Sequence, residues 1–337
     1  MANSFIPLRV FVKGGSRAAK SHLSSAGYSG QKVEKEALRP EALAAGFPPT
    51  PKENLVFQGG KTIADLTYTN FYIGGEAAWD PSDRKNIDAA LNAAMNDEHL
   101  NNVMRQYFEN KPITADFRPS TILDGPPPAA FSEGDAKALV ASLFSDNALD
   151  SFDLANTVIC FMLPKGTILT TDVAPHNPVA AIKHKPFIPA EDEDSSLQGL
   201  GGYHGSVRIG TNAVYYAIGV FSFRRDDGTD NGIVAFDAPW KNVVATFYHE
   251  LCEARTDADV DDAIRTKKDQ FCGWVSRSGN ECGDFPMEEA GSNLGLVMKE
   301  VPLANGTGTV PIQFQYSNAV KGPEGPIKKL HKLHALA

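Results

Sequence analysis

One stretch, PWKNVVATFYHELCEARTD (239–257), constrains the fold more than any other in the chain. Pro239 falls in a first helical turn and Asp237 precedes it as the predicted N-cap. With a helical step of about 100° per residue, Val243, Val244, Phe247 and Leu251 gather on one side, roughly opposite His249 and Glu253. Such a helix must rest its apolar back on a core. Its front carries an imidazole and a carboxylate four residues apart, close enough to reach one ion together.

The flanking sequence supplies the elements for that core. KTIADLTYTNFYIGG (61–75) alternates apolar and polar residues like a strand, and NTVICFMLP (156–164) is an unbroken apolar run that reads as a buried one. Further strands are predicted in SVRIGTNAVYYAIGVFSF, in GIVAF, and in LGLVMKEVPL and TVPIQFQYS, the last two joined by the turn ANGTG. Residues 81–108 predict a helix with Ile87, Leu91, Met95 and Leu100 roughly on one face, and 134–148 predict another. RRDDGTDNG (224–232) reads as a hairpin turn.

No repeat or linker interrupts 58–320, which therefore reads as one α+β domain with a mixed, twisted sheet. Residues 1–57 mix Ser, Gly, Pro, Lys and Glu without sustained periodicity and are expected to form a disordered extension. Residues 321–337 are expected to be a frayed basic tail.

Charge and composition exclude whole classes of partner. A formal net charge of −9 argues against nucleic acid, whose phosphates need a basic face. No apolar run approaches the roughly 20 residues of a membrane span. MANSFIPLRVFVKGGSRAAK lacks the apolar core of a secretion signal, which favours the cytoplasm. Four cysteines (Cys160, Cys252, Cys272, Cys282) suit a reducing compartment, and Cys272 and Cys282 would pair only in an exported protein.

The chemistry rests on His249-Glu250-x-x-Glu253. Zinc hydrolases carry H-E-x-x-H, with two ligands from one helix and the neighbouring glutamate as general base. By the same logic His249 and Glu253 are metal ligands here, and Glu250 is the catalytic base. A carboxylate in place of the second histidine makes the site harder, opening it to manganese, iron or calcium as well as zinc. The plainer alternative is a charged, solvated helix face.

A third ligand is offered by SGNECGDF (278–285), which resembles the N-E-x-x-x-D segment of thermolysin-type enzymes shortened by one residue. The resemblance implies Glu281 as ligand and Asp284 as the residue that orients His249 through a hydrogen bond, with exchange of the two roles left open by the shortening. Asp257 and Asp259 are further candidates, Asp257 as a supporting carboxylate. His204, in the glycine-rich GLGGYHGS, is a candidate for metal binding or, with Tyr203, for stabilising an oxyanion; the alternative is an exposed histidine on a flexible turn. Trp274 and Tyr316 could line a cleft, or simply be core. DADVDDAIRTKK fails as a calcium loop at Asp262 and Lys268. Cys252 lacks the surroundings of a nucleophile.

A wider resemblance joins these motifs. YHELCEARTD resembles the SHELAEAVTDP-type sequences of bacterial relatives of plant Exordium, the phosphate-induced proteins. FQGGKTIADLTYTNFYIGG is similar to their opening strand, NTVICFMLPKGT to their central apolar strand, GGYHGS to their Tyr-His-Gly stretch, CGW to their Gly-Trp-Tyr, NECGD to their Glu-Ile-Gly-Asp, and IQFQYSN to their closing strand. The ordered set spans about 57–320.

The resemblance implies a zincin-like domain, often secreted, tied in plants to cell-wall growth and signalling rather than to an established reaction. This chain departs from it in lacking a secretion signal and in carrying Cys252 and Cys282 within the motifs. The expectation is a zinc peptidase with one ion on His249, Glu253 and Glu281, acting on peptide or protein. The alternatives are a non-catalytic binding or signalling protein of the Exordium type, and an effector whose residues 1–57 are removed.

Overall fold

The apolar run at 156–164 sits where only a doubly covered strand can sit. The computed structural model describes residues 10–25, 43–172 and 194–332. At its centre is a six-stranded mixed sheet of β1 (Val10–Val12), β2 (Asp65–Tyr72), β3 (Thr114–Ile122), β4 (Thr157–Met162), β5 (Leu200–Ile209) and β6 (Asn212–Gly219), in spatial order β1-β5-β6-β4-β2-β3. β2 runs parallel to β3 and β4, and β4 parallel to β6, while β5 and β1 are antiparallel additions at one edge. The chain is thus of the α+β class.

Seven helices accompany the sheet among the described residues: α1 (Arg17–Ser25), α2 (Pro81–Met95), α3 (Glu98–Met104), α4 (Glu133–Ser145), α5 (Pro239–Thr256), α6 (Val260–Thr266) and α7 (Asp284–Ala290). Strand alternation divides β4 between two cores. Val158, Cys160 and Met162 pack with Tyr68, Tyr72, Ile87, Leu91, Val244 and Phe247, beneath α2 and α5. Ile159 and Phe161 pack with Phe71, Ile218, Ala136, Val140 and Ala18 on the side of α4 and α1. The unbroken apolar series from Val158 to Met162 follows directly, since neither face meets water.

Local chemistry sets the element ends. Pro81 opens α2 behind Asp80, whose side chain accepts from Ser82 N. The predicted 81–108 helix is interrupted because Asp97 acts as a second N-cap, accepting from Leu100 N and starting α3; Ile87, Leu91, Met95 and Leu100 are all buried as expected. α4 begins on a reciprocal capping box of Ser132 and Asp135. α5 begins one residue later than predicted, with Ala238 as its N-cap. GIVAF is not a strand. The Asn242 side chain accepts from Ala235 N and Phe236 N, and Ser222 Oγ accepts from Ile233 N, so side chains satisfy backbone groups that a neighbouring strand would otherwise serve. The hairpin at 224–232 and the one formed by β7 (Met298–Pro302) and β8 (Thr309–Gln313) are both present.

The expected N-terminal extension needs correction where it is described. β1 pairs with β5 and buries Val10, Phe11 and Val12, while Leu55 is buried and donates its N–H to Asn318 Oδ1. Three-residue anchors are too short to show periodicity, which is why the segment reads as unstructured. The tail is also partly built in: Gly322–Glu324 pairs with Gln315–Ser317, and Ile327 N donates to His99 O. Residues 1–9, 26–42 and 333–337 of those segments lie outside the described residues, as do 191–193 of the acidic run. No described helix is long and apolar enough to cross a membrane.

Candidate metal centre

The front of α5 does not face water. Every residue from Asn242 to Thr256 is buried, because β1, β5, α7 and β8 close over the side that the sequence predicts to be polar and open. His249, Glu250 and Glu253 have no exposed surface. Burying a carboxylate without a partner costs several kcal/mol, so an enclosed polar face calls for a compensating charge or protons.

His249 is the best defined of these groups. Its Nδ1 lies 2.5 Å from Gln313 Oε1, and Gln313 Nε2 donates to the carbonyls of Gly283 and Phe314 at 2.7 Å. Two carbonyl acceptors fix the amide orientation, so Oε1 must accept from His249 Nδ1–H. The lone pair is thereby placed on Nε2, which lies 3.0 Å from Glu253 Oε2. Neither of those two atoms has a partner in hydrogen-bonding geometry. Burial pushes the imidazole pKa down to about 4, so the ring is neutral near pH 7. Phe11 of β1 covers it, with ring centroids 4.2 Å apart.

Glu253 is held through its other oxygen, Oε1, which accepts from Gly283 N at 2.9 Å. Gly283 has to be glycine, since a Cβ there would collide with the His249 ring. His204 approaches from β5. Its Nδ1 lies 3.3 Å from Glu250 Oε2 and 3.7 Å from Glu253 Oε2, and its Nε2 lies 3.3 Å from Asp257 O and 3.6 Å from Glu281 Oε1. Both oxygens of Glu281 are buried, and its carboxyl lies against that of Asp257, with which it shares a hydrogen bond. Asp284, opening α7, accepts from Glu281 N at 2.8 Å. Asp257, just after α5, accepts from Gly273 N at 2.8 Å.

Burial raises the carboxyl pKa values of Glu253, Glu281 and Asp284 well above the usual range, and that of Asp257 to about 7. The charges acting on Glu281 are other carboxylates. Arg255, though buried on the same helix, turns its guanidinium to the carbonyls of Ala64 and Thr114.

Among the described residues, two sets of side chains have ligand atoms mutually within 4.8 Å: His204, Glu253 and Glu281, and His249, Glu253 and Asp284. Imidazole and carboxylate donors converging here, with His249 Nε2 and Glu253 Oε2 buried and without hydrogen-bond partners, fit a divalent cation.

The structure rearranges several predicted roles. Glu281 meets Glu253 and His204 rather than His249, so the predicted triad of His249, Glu253 and Glu281 does not form one set. His204 belongs to a regular strand, not a flexible loop, and Gly202 and Gly205 serve close packing: a Cβ on them would meet Ile218 O and Asp261 Oδ2. Tyr203, one residue before, points to the other face of the sheet and donates to Thr170 O, away from the cluster. Gln313 holds His249 where Asp284 was expected to. The signal for Gln313 is faint, a polar residue after the apolar Val310, Pro311 and Ile312 in a buried strand.

Asp259 lies apart, paired with Arg208 at 3.3 Å. Tyr316 is core and donates to Thr50 O, and Trp274 packs on Tyr107 and Phe57, so neither lines a cleft over the cluster. The four cysteines are free. A surface hollow of about 500 Å³ lined by Lys13, Gly199, Asp230 and Gly232 opens at the β1 edge, not at the carboxylates. Comparisons with models of protein families, with curated proteins and with solved structures give no match, so the reading of the site rests on its geometry.

Proposed function

We propose that the protein is a metal-dependent hydrolase, a zinc peptidase of zincin type, with the ion held between α5, β5 and the 281–284 segment. The observation that supports this reading is that Glu253 lies within ligand reach of His249 and Asp284 on one side and of His204 and Glu281 on the other, with His249 Nε2 and Glu253 Oε2 buried and without hydrogen-bond partners. An ion there would supply Lewis-acid polarisation of a scissile carbonyl and make the attacking water more acidic. Glu250 would take a proton from the attacking water on its carboxylate and return it to the leaving amine. Gln313 keeps His249 in its ligating tautomer.

A second reading has its own support. The cluster is enclosed, and Phe11 stacks on His249, so a peptide reaches it only after the β1 edge yields. A non-catalytic binding or signalling protein of the Exordium type, keeping the ion as a structural element, needs no such opening. Glu250→Gln separates the two. In an enzyme it lowers hydrolysis of an unstructured protein substrate such as casein by about 10²–10⁴-fold, with zinc content by elemental analysis unchanged. Zinc-loaded wild type that hydrolyses nothing in a broad peptide library would sink the peptidase reading and leave the binding one.

A further inference from the structure

We propose that the cluster takes two divalent cations, bridged by Glu253, rather than one. The inference rests on the metal-site reading above and concerns how that site is filled. Its first support is the partition of ligands. His204 with Glu281 and His249 with Asp284 fall into separate sets, and Glu253 belongs to both. Two ligand atoms on one zinc, each bonded at about 2.0–2.2 Å, can stand no more than about 4.4 Å apart. Within each set the donors are near that reach; among the described residues no set within the 4.8 Å limit holds both histidines.

Glu253 is placed to bridge. Gly283 N occupies Oε1, while Oε2 lies 3.0 Å from His249 Nε2 and 3.7 Å from His204 Nδ1. One carboxylate oxygen has two lone pairs and can serve an ion on each side. Asp284 spends one oxygen on Glu281 N and retains the other.

The second support is charge. Five carboxylates, Glu250, Glu253, Asp257, Glu281 and Asp284, are enclosed together, none more than 5% exposed. Glu253, Asp257, Glu281 and Asp284 form no ion pair with a lysine or arginine among the described residues, and the ring nitrogens of His204 lie 3.3 Å from Glu250, 3.7 Å from Glu253 and 3.6 Å from Glu281. Carboxylates enclosed in this way call for cations or protons, and the two ligand sets offer places for two cations.

The test is stoichiometry, read without any substrate. The full-length protein is stripped with dipicolinate, then titrated with Co(II), followed by absorbance, and with Mn(II), followed by electron paramagnetic resonance. Wild type is expected to bind two equivalents, with the six-line signal of isolated Mn(II) suppressed by coupling at the second. Asp284→Asn is expected to bind one equivalent of Co(II) and, like Glu281→Gln, to show only uncoupled Mn(II). Saturation of wild type at one equivalent would overturn the bridged pair, and so would two equivalents that persist in Asp284→Asn. The wild-type titration decides the question even where a variant folds poorly. One equivalent with hydrolysis that still depends on Glu250 would overturn the pair and leave the proposed hydrolase standing; no ion bound at all would overturn both.

Discussion

At the residue scale, His249 owes its usefulness to a neighbour that its own motif does not announce. Gln313 accepts from Nδ1–H and so leaves Nε2 as the lone-pair atom. Gln313→Ala should therefore lower zinc affinity about 10–100-fold, measured by competition against a chromogenic chelator. It should also cost about 1–3 kcal/mol of stability, because the carbonyls of Gly283 and Phe314 lose their donor. Unchanged affinity would mean that the amide does not set the tautomer. The spacing of His249 and Glu253 was legible because helical periodicity is local. The opposite directions of Tyr203 and His204 were not, because glycines 199, 201, 202 and 205 read as a flexible loop until the pairing of β5 with β6 is known.

At the scale of elements, α5 shows what periodicity does and does not convey. Its apolar side was readable; that its polar side is also enclosed depends on β1, β8 and α7 arriving from distant parts of the chain. The C-terminal segment carries a pH-dependent anchor of its own. His331 Nε2 lies 2.7 Å from Glu324 Oε1, and this contact raises the imidazole pKa above its ordinary 6.5. A raised histidine pKa stabilises the fold fully below about pH 6.5, and the contribution disappears as pH climbs through the folded value. His331→Ala should thus destabilise the protein more at pH 6 than at pH 8.5. The difference should be no more than about 1 kcal/mol, since the ring is partly solvated. Urea melts at the two pH values check this, and equal losses at both would remove the anchor.

At the scale of the whole molecule, the central feature is a cluster of carboxyl side chains enclosed by the fold. A cation that binds only the folded chain adds about 2.7 kcal/mol when present at 100 times its dissociation constant. Stripping the protein with a chelator should therefore lower its melting temperature by several degrees, and adding zinc back should restore it, as scanning calorimetry would show. A melting temperature indifferent to both treatments would mean that protons alone compensate the carboxylates. The same enclosure makes the β1 edge the part of the fold on which access to His249 depends.

The sequence by itself determined what local periodicity and spacing can determine. It specified the doubly buried strand at 157–162, the helix at 239–256, and the histidine and two glutamates that this helix carries. Only the tertiary structure decided that His204 joins them, that Gln313 holds His249, and that residues 10–12 cover the site. Those relations link residues tens to hundreds of positions apart. Side-chain direction along one helix follows from the chain's own geometry, whereas contacts between strands, loops and termini exist only after the sheet has chosen its neighbours.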